Sequence, residues 1–181
     1  MRNFFRLAAG VDVVPALHQL VQMPDLWNEN TLRTKHPQTA HGQADDIWML
    51  FNEVPSDPTA VIDDVKVVPY RAWGQLTHLR GLVLDVMRRV DGVALGRVIV
   101  TRLKPGAEIT PHIDGGAPAT YYTRYQIALK SLPGAAFRCG NERVEFQSGD
   151  VWWFDNRVEH EVVNNSDDDR IVCIVDVRRL T

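Results

Sequence analysis

RVEFQSGDVWWFDNRVEHEVVNNSDDDRIVCIVDV (143–177) decides the fold class. Its apolar residues fall in the short runs 143–146, 151–155, 159–164 and 170–178, separated by Ser148-Gly149-Asp150 and by the acidic stretch Asp167–Asp169. Runs this short, bounded by turn formers, are strands. The same rhythm extends back through 96–103, 108–112, 121–130 and 135–139. The turn signals there are Lys104-Pro105-Gly106, Asp114-Gly115-Gly116, Leu132-Pro133-Gly134 and Gly140-Asn141. Eight short strands at this spacing predict a mainly β antiparallel sandwich or jelly roll.

Upstream of Val93 the period changes. Trp73, Leu76, Leu79, Val83, Val86 and Val90 recur at spacings of three and four, which predicts one helix from Tyr70 to Val90 with an apolar stripe. Asp91-Gly92 should end it, with the glycine in the left-handed position. A shorter helix, Ala16–Met23, should stop at Pro24. Residues 28–46 form a long polar loop, Ile47–Phe51 a strand, and another polar, proline-containing loop leads to Val65–Val68. The chain is expected to be a single domain (1–181), with helical and loop support in 1–95 and a catalytic β core in 96–181.

Composition narrows the function. With 20 Lys and Arg against 23 Asp and Glu, the net charge of −3 includes no concentrated basic face, so nucleic acid is not an expected partner. No apolar run is long enough to span a bilayer. Arg6 and Asp12 interrupt the apolar N-terminal stretch, which argues against a signal peptide. Cys139 and Cys173 lack the paired spacing of a zinc or redox motif, and are expected to be reduced core thiols of a cytoplasmic protein.

His112 and Asp114 stand two apart at the end of a strand, so both side chains face one way, as two ligands of one metal must. Alone this means little, since the composition gives roughly 0.8 such pairs by chance. His160 in a second strand and Arg170 at the start of the last one give the pair meaning. Two histidines and a carboxylate leave part of an octahedral sphere open. An arginine presents a planar fork to a carboxylate.

TRLKPGAEITPHID (101–114), SGDVWWFDNRVEHEVVNN (148–165) and RIVCIVDV (170–177) together resemble the aspartyl/asparaginyl β-hydroxylase family, over Thr101–Val177. The resemblance implies a cupin-like double-stranded β-helix, iron(II) and 2-oxoglutarate. By position it implies His112, Asp114 and His160 as catalytic iron ligands and Arg170 at the distal carboxylate of 2-oxoglutarate, with Thr101 near that cosubstrate. The best-known animal members lack the carboxylate ligand, whereas Asp114 is present here. Where relatives carry an arginine and a histidine near the cosubstrate's other end, this chain has Gln126 and Ala128. Its own arginine, Arg124, shares their face and either takes over at the cosubstrate or contacts substrate.

The implied activity is an oxygen-consuming hydroxylation of a carbon in an amino acid, an amino-acid-like small molecule or a peptide side chain. A cupin-like hydrolase or isomerase would not need Arg170, and a non-catalytic sensor would form no succinate. His36 and His41 are expected at the surface, and one of Trp152 and Trp153 in the core with the other facing the pocket. Segment 28–48, with Arg33, Asp45, Asp46 and Trp48, is a candidate lid carrying substrate contacts.

Overall fold

The computed structural model describes residues 1–54 and 64–180; most of the second polar loop lies outside them. The strands are β1 (Phe4–Ala8), β2 (Ala44–Phe51), β3 (Val68–Pro69), β4 (Gly92–Leu103), β5 (Glu108–His112), β6 (Thr123–Lys130), β7 (Ala135–Cys139), β8 (Glu142–Glu145), β9 (Val151–Phe154), β10 (His160–Asn164) and β11 (Arg170–Arg179). The helices are α1 (Val14–Gln22), α2 (Leu32–Lys35), α3 (Arg71–Gln75), α4 (Thr77–Arg89) and α5 (Gly116–Tyr121). A seven-stranded sheet, ordered β1-β9-β6-β11-β4-β2-β3, faces a four-stranded sheet, β5-β10-β7-β8. This is the double-stranded β-helix, and all eight strands expected from Val93 onward are present.

Alternation along each strand separates two cores. On the outer face of the large sheet Met49, Val98, Val100, Ile127, Cys173 and Val175 pack beneath α1, α3 and α4, with Leu20, Leu79, Val83 and Val86 opposite them. Between the sheets Phe4, Leu103, Ile109, Phe137, Phe146, Trp152 and Phe154 form an aromatic-rich filling. The inner face of the large sheet carries a polar row along its central strands, Arg97 and Thr101 on β4, Arg124 and Gln126 on β6, and Arg170 and Asp176 on β11, and there the site forms.

Several local expectations are corrected. The predicted 70–90 helix is two helices with a corner at the fully buried Leu76, whose N–H still bonds Ala72 O at 2.9 Å. Ala72 takes the buried position of the first segment, while Trp73 lies toward the edge beneath Arg80. Asp91, at φ 52°, makes the left-handed turn instead of Gly92. Gly92 is needed for space: a Cβ there would run into Val177 Cγ1 and sit 3.0 Å from Met87 Cγ. The 28–46 loop contains the helical turn α2 and the start of β2. The first 95 residues also supply strands to the large sheet, because β1 pairs with β9 and β2 with β4.

Gly149 does need its freedom. Its φ is +87°, and a Cβ would lie 2.7 Å from Val11 O, in a turn where Val11 N–H donates to Gly149 O. Gly149→Ala should therefore destabilise the protein by about 1–3 kcal/mol, read from its urea midpoint at unchanged m-value.

Candidate metal and cosubstrate site

β5 and β10 run antiparallel, with His112 opposite His160 and Ile109 opposite Val162. The extra residue on β5 is a bulge, a device that re-aims side chains near sites. It brings the two imidazole centroids to 4.3 Å. Each ring is oriented from behind: His112 Nδ1 lies 2.8 Å from Thr110 O and His160 Nδ1 2.9 Å from Val158 O. A carbonyl only accepts, so both Nδ1 atoms carry the proton and both Nε2 lone pairs are free to bind a metal. Those Nε2 atoms lie 3.8 and 3.9 Å from the carboxylate oxygens of Asp114. The three residues offer ligand atoms that all fall within 4.8 Å of one another. Burial lowers the His160 pKa even though Asp114 opposes it, which keeps the imidazole neutral, as ligation requires.

Asp114 is held by its surroundings. Its N–H donates to Asn156 O at 3.1 Å, and Arg124 Nη1 donates to its Oδ2 at 2.6 Å. The same guanidinium grips Asp176 through Nε and Nη2, both at 2.8 Å. Burial works against the Asp114 charge, but Arg124, then His160 and His112, more than reverse it, so the carboxyl stays below its usual range. Burial also pulls against the Arg124 charge; Asp114 and Asp176 outweigh it and hold the guanidinium above its normal pKa. Arg124 is thus committed to two carboxylates. The β6–β11 register, which sets Arg124 opposite Asp176, accounts for this, and it could not be read from β6 alone. Arg124→Lys keeps the charge but cannot span both partners. It should cost about 1.5 kcal/mol, the worth of one hydrogen bond to a charged group, measured by denaturant unfolding.

Arg170, the first residue of β11, is 2% exposed. Among the described residues its one side-chain hydrogen bond is a long one, from Nη2 to Gln126 Oε1 at 3.3 Å, and its Nε has no partner. Asp167–Asp169 do not neutralise it. Asp168 pairs with Lys130 at 2.6 Å, Asp169 lies 4.0 Å from Arg102, and Arg170 points inward with Phe137 and Phe146 5.9 and 5.7 Å away. Burial pushes its pKa down to about 10, still charged at neutral pH. A buried cation with free donors and, among the described residues, no counter-charge fits a carboxylate ligand.

Thr101 Oγ1 donates to Asp46 Oδ1 at 2.8 Å, and Arg33 Nη1 donates to Asp46 Oδ2 at 2.7 Å. A cavity of about 390 Å³ opens beside Asp114, walled by Leu32, Arg33, His36 and His41 from segment 28–48 and by Phe51, Arg97, Ile99, Ile113, Pro118 and Arg124. His41, expected at the surface, lies edge-on to His112 at 4.8 Å, because Thr110 N–H bonds Ala40 O and draws the segment along β5. Burial, then Arg33 and His112, drives its pKa far below normal. His36 is exposed at the cavity rim. Asp45 faces the other side of β2, bonded to Arg102 at 2.7 Å, and Trp48 is buried in a stack on Phe51 at 3.8 Å. Neither tryptophan of β9 reaches the cavity: Trp152 fills the space between the sheets, and Trp153 packs on the outer face. Arg97, Asp176 and His41 are the site residues that sequence reading missed.

Two imidazoles, one carboxylate and an open side define a non-haem metal site inside a double-stranded β-helix, and iron(II) with 2-oxoglutarate fits the residues present. The family model described as Aspartyl/Asparaginyl beta-hydroxylase matches residues 73–180, and the chain belongs to that family. It is 30% identical over 97 residues to the mouse (Mus musculus) aspartyl/asparaginyl beta-hydroxylase, covering 52% of this chain and 13% of that protein. The chain therefore spans about an eighth of that relative's length. Two solved structures share its fold. The first is an oxidoreductase of the 2OG-Fe(II) oxygenase family from Burkholderia pseudomallei (TM-score 0.58, 14% identity, 90% of this chain and 79% of that one). The second is the viral collagen prolyl hydroxylase of Paramecium Bursaria Chlorella virus-1 in complex with 2OG (TM-score 0.55, 10% identity, 99% and 97%).

Proposed function

We propose that this chain is an iron(II)- and 2-oxoglutarate-dependent oxygenase that hydroxylates a carbon of an amino acid, an amino-acid-like small molecule or a peptide side chain. The observation that carries the reading is the pairing of two features inside one barrel: the His112–Asp114–His160 cluster, and the charged, uncompensated guanidinium of Arg170. In this reading His112 and His160 present Nε2 to iron, Asp114 completes the set, and Arg170 with Gln126 receives the distal carboxylate of 2-oxoglutarate. Thr101 lines that path through its bond to Asp46, and Arg124 positions Asp114. When bound, iron and 2-oxoglutarate supply an oxidation by molecular oxygen that yields hydroxylated product, succinate and carbon dioxide. The chain's own part is to orient these groups and exclude water around them.

Segment 28–48 forms a wall of the substrate cavity through Leu32, Arg33 and His41, the role proposed for it here in place of a free lid. Nucleic acid has no place in this reading. Among the described residues no helix is long and apolar enough to cross a membrane, and both cysteines are free and buried, which supports a reducing, cytoplasmic setting.

The test is succinate formation from 2-oxoglutarate with iron(II) and oxygen, with and without a panel of amino acids and peptides screened for a gain of one oxygen. Oxygen-dependent succinate, stimulated by one panel member, is expected. Metal binding without 2-oxoglutarate affinity would favour the hydrolase, and 2-oxoglutarate binding without succinate the sensor.

A further inference from the structure

The cavity beside Asp114 holds three guanidinium groups, and they differ in what they face. Arg33 is neutralised by Asp46, and Arg124 by Asp114 and Asp176. Arg97 has no such partner: among the described residues it donates only to an amide oxygen, Asn52 Oδ1, from Nε at 2.8 Å and Nη2 at 2.5 Å. That amide is itself fixed, since Asn52 Nδ2 donates to Asp64 O and Lys66 O at 2.7 and 2.8 Å, and Tyr70 Oη donates to Asn52 O. One edge of the guanidinium is therefore clamped. Of the five N–H donors an arginine carries, those on Nη1 and the second on Nη2 remain. The guanidinium carbon lies 4.6 Å from the centroid of Phe51, and Phe51 and Ile99 give the cavity an apolar floor around it. Arg97 is a pre-oriented cation with unused donors in a partly apolar cavity that Asp114 also lines, and the surplus charge of the Arg124 cluster, one guanidinium between two carboxylates, reaches it through space without an ion-pair contact among the described residues.

Resting on the oxygenase reading above, we infer that Arg97 is the substrate anchor, and that the substrate is a compact apolar molecule bearing a carboxylate. The volume of about 390 Å³ lies at the small end of ligand pockets, roughly 300–1,000 Å³. It suits a molecule of amino-acid size. Asp114, which lines the cavity, is engaged by Arg124, and the carboxylates behind its arginines are engaged too, Asp46 by Arg33 and Thr101 and Asp176 by Arg124. No free carboxylate is left there, among the described residues, to read an α-ammonium group. The carboxylate and the apolar body are what the cavity recognises, with the amino group incidental. Arg97 is thereby a specificity-determining residue, separate from Arg170, which serves the cosubstrate.

The test is calorimetry on protein loaded with manganese(II) and 2-oxoglutarate, with L-leucine, L-phenylalanine, isocaproate and hydrocinnamate, each beside its primary carboxamide. At least one carboxylate should bind, its carboxamide about 100-fold more weakly, and the desamino acid within a few-fold of the amino acid. Arg97→Met should reproduce the loss seen with the carboxamide, Arg97→Lys should recover part of it, and neither should change 2-oxoglutarate affinity. Carboxamides that bind as well as the acids, a panel without any binder, or Arg97 variants that weaken 2-oxoglutarate would each overturn the inference. The carboxylate–carboxamide contrast is measured on the unmodified chain, so it holds even if a variant fails to fold. The 2-oxoglutarate titration precedes every probe, and the probes are repeated on metal-free protein. Arg97-dependent carboxylate binding without 2-oxoglutarate affinity would leave this inference standing and remove the oxygenase reading.

Discussion

His160→Ala is expected to abolish tight iron binding while the barrel stays folded. His160 is 4% exposed at the first position of β10, on the small sheet's inner face, and its Nε2 is aimed at the Asp114 carboxylate by the bond from Nδ1 to Val158 O. Its loss removes a ligand outright. The fall in affinity should exceed about 100-fold, the upper end of what losing a mere hydrogen-bond partner of a ligand costs. The ring also packs beside Phe154 and Phe137, with centroids 5.0 and 6.0 Å away, so some stability goes with it. The far-ultraviolet circular dichroism should nonetheless persist, because the β10 ladders to β5 and β7 are backbone bonds. Asp114→Ala should be milder for the metal, since both imidazoles keep the Nδ1 bonds that orient them, to Thr110 O and Val158 O. Stoichiometric, tightly held iron in His160→Ala would rule out the triad.

Arg170→Met should move two measurements in opposite directions. A fully buried guanidinium that has, among the described residues, one long hydrogen bond and no carboxylate is held at a desolvation cost, and a methionine of similar reach fills the space between Phe137 and Phe146 without it. The cosubstrate-free variant should therefore melt no lower than the wild type. Affinity for 2-oxoglutarate should fall by about 2–5 kcal/mol, the range for truncating one partner of a buried charged pair. Added 2-oxoglutarate should raise the melting temperature of the metal-loaded wild type and leave the variant unmoved. A variant that melts lower yet keeps its 2-oxoglutarate affinity would make Arg170 a structural residue.

The fold was legible wherever one face of a strand is buried, because alternation then survives in the sequence. That holds for all of the barrel after Val93. It fails for β1, whose FFRLA alternates less clearly and whose partner, Trp152–Phe154, is nearly the whole chain away. It fails too at Ala44–Asp46, where an inner-facing carboxylate bonded to Arg33 and Thr101 replaces the apolar residue the pattern needs. Glycine and proline in GAPATY signal a turn, yet those residues form α5. In the site, His112, Asp114, His160 and Arg170 stood out because their spacing and flanking motifs are local. The ties of Arg124 to Asp176 and of His41 to His112 depend on strand register and on how segment 39–44 lies along β5, which no local pattern encodes.

The position of β11 bears on how the chain is made. It lies between β6 and β4 in the large sheet, and it follows both of them in sequence. Until Arg170–Arg179 leaves the ribosome, β6 and β4 each present an open edge lined with Ile127, Leu129, Val98 and Val100, a template for pairing with other nascent chains. Nearly every ladder of this sheet joins segments far apart in sequence, so closure is slow and must wait for β11. The strand that begins with Arg170 is then also the one that seals the sheet, so a chain lacking β11 has neither the arginine proposed to hold the cosubstrate nor a closed barrel.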